Sequence, residues 1–129
     1  MRRDGRPDDV LEEDAAPPET LSAADIGGEL GERATLVHFS TAFCQPCRAT
    51  RRVLADVAAM VPGVRHVEVD AESRLDLVRA LGVVRTPTVL VLDADGRVVK
   101  RASGVPRKPD VVAALAAAVW AASQETDGT

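Results

Sequence analysis

The chain has 129 residues, 46% of them apolar, enough for the core of one ordinary domain. Aromatic residues make up only 2% and the formal net charge is −4, which argues against a base-stacking platform or a basic footprint for nucleic acid. Two cysteines are too few to staple a disulfide-scaffolded secreted domain.

Residues 1–19 carry seven acids against three arginines, and beyond them the chain holds thirteen charges of each sign. The net acidity therefore belongs to the start of the chain, which closes on Ala15-Ala16-Pro17-Pro18. Such a composition cannot bury enough surface to offset its ordering entropy, so a flexible acidic tail is expected over residues 1–19. No apolar segment follows Arg2 and Arg3, so no signal peptide is read there. The longest apolar run, Val111 to Ala122, is 12 residues, short of a bilayer span. A cytoplasmic location is expected, or the cytoplasmic side of a membrane if an anchor has been removed upstream.

Ser22-Ala23-Ala24-Asp25 has capping-box spacing and opens a short helix that stops by Gly27-Gly28 or soon after. Thr35 to Ser40 is rich in strand formers and reads as a first strand. After the cysteines a helix follows, with Val53, Leu54, Val57, Met60 and Val61 on its apolar stripe and Pro62-Gly63 ending it. Val64 to Val69 alternates as a second strand. Glu72 to Leu81 reads as a helix with Leu75, Val78 and Leu81 inward, closed by Gly82. Thr88 to Leu92 is a buried strand, Asp93 to Gly96 a hairpin turn, and Arg97 to Ala102 an edge partner. Asp110 caps a last helix, with Val111, Leu115 and Val119 on one stripe and Val112 and Trp120 beside it. The order predicts an α/β domain over residues 20–123, with a mixed central sheet of four or five strands and helices on both faces, followed by a disordered end over 124–129. The first two strands, joined by a helix, should be parallel and the last two an antiparallel hairpin.

Both cysteines lie in Phe43-Cys44-Gln45-Pro46-Cys47, between a strand and a helix. C-x-x-C in that setting is a redox signature, because a helix N-terminus favours thiolate. Cys44 sits at the helix start and Cys47 within the first turn, near enough to attack a mixed disulfide on Cys44. Pro46 fits a first turn, where its missing N–H is not needed. Arg48, Arg51, Arg52 and Arg85 form either a positive rim that prefers acidic partners or an ordinary solvated face.

These residues resemble the thioredoxin family. Phe43-Cys44-Gln45-Pro46-Cys47 is similar to its active site, usually W-C-G-P-C, and Arg85-Thr86-Pro87-Thr88 is similar to its cis-proline loop. Asp95-Gly96 and Gly104 also fall where the family places them, and the resemblance covers roughly residues 34–119. It implies a three-layer thioredoxin-like fold and dithiol–disulfide exchange, with Cys44 as nucleophile and Cys47 as resolving thiol. It further implies a cis Pro87, a substrate strand pairing with Thr86, and substrate contacts from Phe43, Gln45, Pro46 and Arg85. Proline at the second intervening position resembles the reducing branch, whose reference potential is about −270 mV. The implied partners are disulfide-containing proteins and a thiol reductase or other electron donor. No cofactor and no metal are expected, and a monomer is.

The sequence departs from the family where a buried aspartate and its lysine partner stand. Here those positions are His38 and His66, and Ser40 replaces a tryptophan. A buried neutral imidazole at His38 can accept the Cys47 proton; alternatively His38 is a satisfied core histidine and His66 a partly exposed strand residue. A zinc site of Cys44, Cys47, His38 and His66 has the right ligand number but places His38 beneath the helix. Thr41-Ala42-Phe43-Cys44 resembles a peroxidase T-x-x-C, with Val37 where that family has a proline. A peptide- or partner-binding module without turnover is the remaining alternative.

Overall fold

In the computed structural model, residues 19–127 are described. The expected tail therefore lies outside the described residues, except for Glu19. That residue is already tied to the fold: its carbonyl accepts the Val98 amide at 2.8 Å, and Thr20 bridges Arg97.

The elements are α1 (Ala23–Ile26), β1 (Ala34–Ser40), α2 (Gln45–Met60), β2 (Val64–Asp70), α3 (Leu75–Leu81), β3 (Thr88–Asp93), β4 (Val98–Ser103) and α4 (Lys108–Asp127). They form a thioredoxin-like fold around one four-stranded sheet of order β2-β1-β3-β4. β1 and β2 run parallel, as their helical crossover requires. β3 is antiparallel to β1 and to β4.

β1 is central, and all seven of its residues are buried. Its side chains alternate between two cores. Val37 and Phe39 join Ile26 of α1 and Leu77 and Leu81 of α3 on one face. Ala34 and Leu36 join Leu54 and Val57 of α2 and Val111, Leu115 and Ala118 of α4 on the other. Phe39, Leu36 and Leu54 are wholly buried, each a contribution of about 1.5–3 kcal/mol. His38 and Ser40 follow the parity of Leu36, so they point into the α2 layer.

Local chemistry explains the element boundaries. In α1 the Ser22 hydroxyl accepts the Asp25 amide at 3.1 Å and the Asp25 carboxylate accepts the Ser22 amide at 2.8 Å. α3 starts at Leu75, not at Glu72. The Asp70 carboxylate accepts the Glu72 amide and the Ser73 hydroxyl, and this turn occupies the residues that would have formed the first helical turn. Leu77 and Leu81 are buried and Val78 packs partly buried against the same core, while Leu75, expected inward, is half exposed at the helix start. α4 begins at Lys108, so Asp110 stands in its first turn, accepting from Arg107, and does not cap it. Pro109 is tolerated there because first-turn amides have no helical partner. Met60, Val112 and Trp120 are exposed, and Ala118 occupies the buried stripe of α4. This helix continues to Asp127, past the boundary expected at residue 123; residues 128 and 129 lie outside the described residues.

The hairpin turn is held by Asp93, whose Oδ1 accepts the Asp95 and Arg97 amides at 3.0 and 2.9 Å. Gly96 completes it with φ +89°, and its carbonyl accepts the Leu21 amide at 2.8 Å. A Cβ at Gly96 would stand 2.2 Å from the Leu21 carbonyl oxygen. Gly96→Ala should therefore cost about 1–3 kcal/mol in urea denaturation. Hydrogen exchange should rise first at the Leu21 and Val98 amides, where residues 19–21 hold to the hairpin.

Candidate redox site

Cys44 is the N-cap of α2, with extended backbone, and Gln45, Pro46 and Cys47 are the first three helical residues. The Cys44 Sγ accepts the Cys47 amide at 3.2 Å, the bond a serine or aspartate oxygen accepts at an ordinary helix start. The two sulfurs are joined in a disulfide, with the Cα atoms 5.1 Å apart. Bonded to each other, neither is a thiolate available to a metal. Cys47 is buried, whereas Cys44 is only partly covered and is flanked by exposed Phe43, Gln45 and Pro46. Phe43 is 99% exposed, an apolar side chain with no covering partner.

The loop before β3 approaches the same sulfur. The Thr86–Pro87 peptide bond is cis and Pro87 is buried. The Thr86 hydroxyl lies 3.9 Å from Cys44 Sγ, a long hydrogen bond to sulfur. The Thr88 hydroxyl donates to the Arg85 carbonyl at 2.6 Å, and the Gly104 amide to the Pro87 carbonyl at 2.9 Å, so both flanks of the loop are fixed. Arg85 and Val84 point to solvent, Val84 being 86% exposed. Among the described residues Arg48, Arg52 and Arg85 have no acidic partner within ion-pair distance.

His38 is fully buried, and neither ring nitrogen has a hydrogen-bond partner. Among the described residues no protein group hydrogen-bonds to it, the disulfide sulfurs included. Its ring stacks on that of His66, with centroids 6.1 Å apart and planes at 20°. His66 is half-buried, and its Nε2 is also unpartnered. Burial pushes His38 down to about 4; nearby Glu68 opposes that, and His66 and Arg51 add to it. His66 is also lowered, again mainly by burial. Glu68 sits at about 2 because Arg51 donates to both its oxygens, at 2.7 and 2.6 Å, and Ser40 adds a hydroxyl at 2.6 Å.

A groove of about 720 Å³ between β4 and α4 is lined by Val99, Ala102, Val105 and Ala114. It includes none of the residues around the cysteines.

The comparisons with known proteins agree with this geometry. The model of the thioredoxin-like domain matches residues 22–119, and the chain belongs to that family. A thioredoxin of Chlamydia trachomatis is 28% identical over 73% of this chain and 91% of its own length. A thioredoxin relative from Arabidopsis thaliana is 37% identical, but over only 48% of this chain and 40% of that protein. Among solved structures, a mutant thioredoxin from Halobacterium salinarum superposes with a TM-score of 0.63 at 20% identity, covering 68% of this chain and 76% of the other. Family membership with a C-x-x-C pair indicates thiol–disulfide oxidoreductase chemistry. No helix among the described residues is long and apolar enough to cross a membrane.

Sequence reasoning missed Glu68 and the hydroxyls of Ser40 and Thr86. The signal for Glu68 was present: in Val64-Arg65-His66-Val67-Glu68, His66 and Glu68 share one face, and a parallel β1–β2 pair brings that face beside His38.

Two outcomes follow from these contacts. Thr86→Val removes one donor to Cys44 Sγ, and a net hydrogen bond of about 1 kcal/mol corresponds to roughly 0.7 unit. The Cys44 thiol pKa of the reduced protein, read from thiolate absorbance, should rise accordingly. His38 and Glu68 both have folded values below their unfolded ones, so the unfolded chain binds more protons as pH falls. Stability should fall between pH 6.5 and about 4 through His38, and again towards pH 2 through Glu68. His66 is shifted the same way and shares this window, so His38→Leu should shrink the upper phase, by on the order of 3 kcal/mol, in denaturation measured across that range.

Proposed function

We propose that this protein reduces disulfides of other proteins by dithiol–disulfide exchange at Cys44 and Cys47. The observation that carries this reading is the position of Cys44 Sγ: it caps a helix, is partly open to solvent, and lies beside a cis-proline loop. A thiolate formed there is stabilised by the helix N-terminus, the Cys47 amide and the Thr86 hydroxyl.

Reduced Cys44 attacks a sulfur of the client disulfide and forms a mixed disulfide. Cys47, one helical turn inside, then attacks Cys44 Sγ and releases the reduced client. Thr86 offers its main chain to the client segment, while Pro87 holds the loop against the cysteines. Phe43, Gln45 and Pro46 contact the client around its disulfide, and Arg85 contributes positive charge. His38 accepts the Cys47 proton as that thiol becomes a nucleophile: it is neutral at pH 7 and unpartnered, and it lies on the α2 face of β1. A second dithiol, from a reductase or other thiol donor, returns the pair to the reduced state. We assign this reaction to the cytoplasm, where thiol donors are abundant, with the protein acting as a monomer.

The test is turnover of a protein disulfide with dithiothreitol as donor. The native chain should accelerate reduction well above the uncatalysed rate, Cys44→Ser should abolish the acceleration, and Cys47→Ser should accumulate a trapped mixed disulfide. The reduction potential should lie near the about −270 mV of reducing relatives. A protein with no rate above background is a binding module, and a potential well above that of the glutathione pool reverses the direction of electron flow.

A further inference from the structure

The position of His38 raises a question that the two cysteines do not answer. An imidazole sealed in the α2 layer must hold a positive charge while it carries the Cys47 proton, and isolated buried charge is strongly disfavoured. Something beside it has to compensate.

The charged and titratable groups around His38 can be named element by element. β3 presents Val89 as its register partner, an apolar residue. From α4 the buried residues are Val111, Leu115 and Ala118. α2 contributes Arg51 and the cysteine pair; its Asp56 is exposed and pairs with Lys108. β2 contributes His66 and Glu68, while Asp70 is turned to its own loop by Glu72 and Ser73. Asp93 of β3 is on the same face but stands opposite Ala34 at the far end, held by the Asp95 and Arg97 amides, so among the described residues Glu68 is the carboxylate beside His38. It is the register partner of His38, and adjacent strands place such partners about 4.8 Å apart. Three bonds fix its carboxylate: one from Ser40 on β1 at 2.6 Å and two from Arg51 on α2 at 2.7 and 2.6 Å. The pair is oriented, with the carboxylate side chain 30% exposed and the guanidinium 46%.

We propose that Glu68, clamped by Ser40 and Arg51, is a positioning residue for thiol–disulfide exchange, holding a fixed negative charge beside His38 that stabilises its imidazolium. The inference rests on the redox reading above and extends it to the proton. In the resolving step the Cys47 thiol gives its proton to His38, and the resulting thiolate attacks Cys44 Sγ. The bond between Cys44 and the client sulfur breaks, the Cys44–Cys47 bond forms, and the client leaves as a thiolate that takes a proton from His38 or water. The two cysteines are oxidised and the client disulfide has gained two electrons. Glu68 remains ionised throughout, and Arg51 opposes its effect on His38 from the outer end of the ion pair.

This arrangement allows a test that separates charge from structure. Glu68→Gln and Arg51→Gln break the same ion pair, so a purely structural role moves both variants alike. As positioning groups they act oppositely: Glu68→Gln should lower the pKa of His38 and Arg51→Gln should raise it. Each shift should be roughly half a unit, about a threefold change in the imidazolium population. The readout is NMR titration of the labelled imidazole in both redox states, alongside thermal unfolding to follow the shared loss of the ion pair. Release of client from the Cys44 mixed disulfide should slow about threefold in Glu68→Gln near neutral pH, and Glu68→Asp should restore it. Shifts of the same sign in both variants, or an unmoved His38 in Glu68→Gln, would overturn the role of Glu68. A chain inert towards disulfides in every variant overturns the redox reading itself. The titration does not depend on turnover, so it tells the two failures apart.

Discussion

A cysteine stands at the N-cap of α2, and its sulfur accepts the amide of the third helical residue. The same spacing occurs twice in the chain. At Ser22 and Asp25 it produces two reciprocal hydrogen bonds and starts α1. At Cys44 and Cys47 it brings two Cα atoms to 5.1 Å and lets their sulfurs bond. The geometry that satisfies an orphan amide therefore also brings the two thiols within bonding reach. The arrangement requires a rigid platform. β1 supplies it by being buried along its whole length between β2 and β3, so the turn into α2 starts from a fixed strand end.

The two faces of the sheet have different duties. The face under α1 and α3 holds a largely apolar cluster, with the buried hydroxyls of Thr35 and Thr88 on the same side of their strands. The face under α2 and α4 carries apolar residues at its far end, but His38, Ser40, His66 and Glu68 as it nears the cysteines. Strand alternation makes this division possible. One residue of slip in β1 would exchange Leu36 and His38 for Val37 and Phe39 and move the imidazole to the opposite core. The long register shared by β1 and β2, seven paired residues, guards against that slip.

Much of this was legible in the sequence, because it depends on short-range rules. The C-x-x-C pair between a strand and a helix, the turn at Asp93 to Gly96, and the alternation of β2 each carry their own signal. The boundaries that misled did so for local reasons. Asp70 diverts Glu72 and Ser73 into a turn that propensity alone does not reveal, and this leaves Leu75 half exposed at the start of α3. Met60 and Trp120 are apolar but emerge at helix positions that meet no neighbouring layer. The clamp on Glu68 was harder to read, because it joins residues 17 and 28 apart in the chain through two strands and a helix. Its acceptor lies on β2, its donors on β1 and α2, and only the sheet register brings them together.

The unpartnered imidazole is the feature that stability alone explains least. Buried polar atoms are nearly always hydrogen-bonded, and leaving one unpaired costs about 1–3 kcal/mol. Neither ring nitrogen of His38 has a protein partner among the described residues in the disulfide form. Burial also makes the fold less tolerant of acid through this one side chain. A neighbour that only filled space would carry neither liability. A group that must receive a proton needs an open lone pair, which a permanent hydrogen-bond donor would occupy. In the same way, a carboxylate already saturated by Ser40 and Arg51 keeps its charge without capturing that proton itself. The unpaired nitrogens of His38 and the saturated oxygens of Glu68 suit the roles proposed for them, an imidazole that takes up a proton beside a carboxylate that stays fixed and charged.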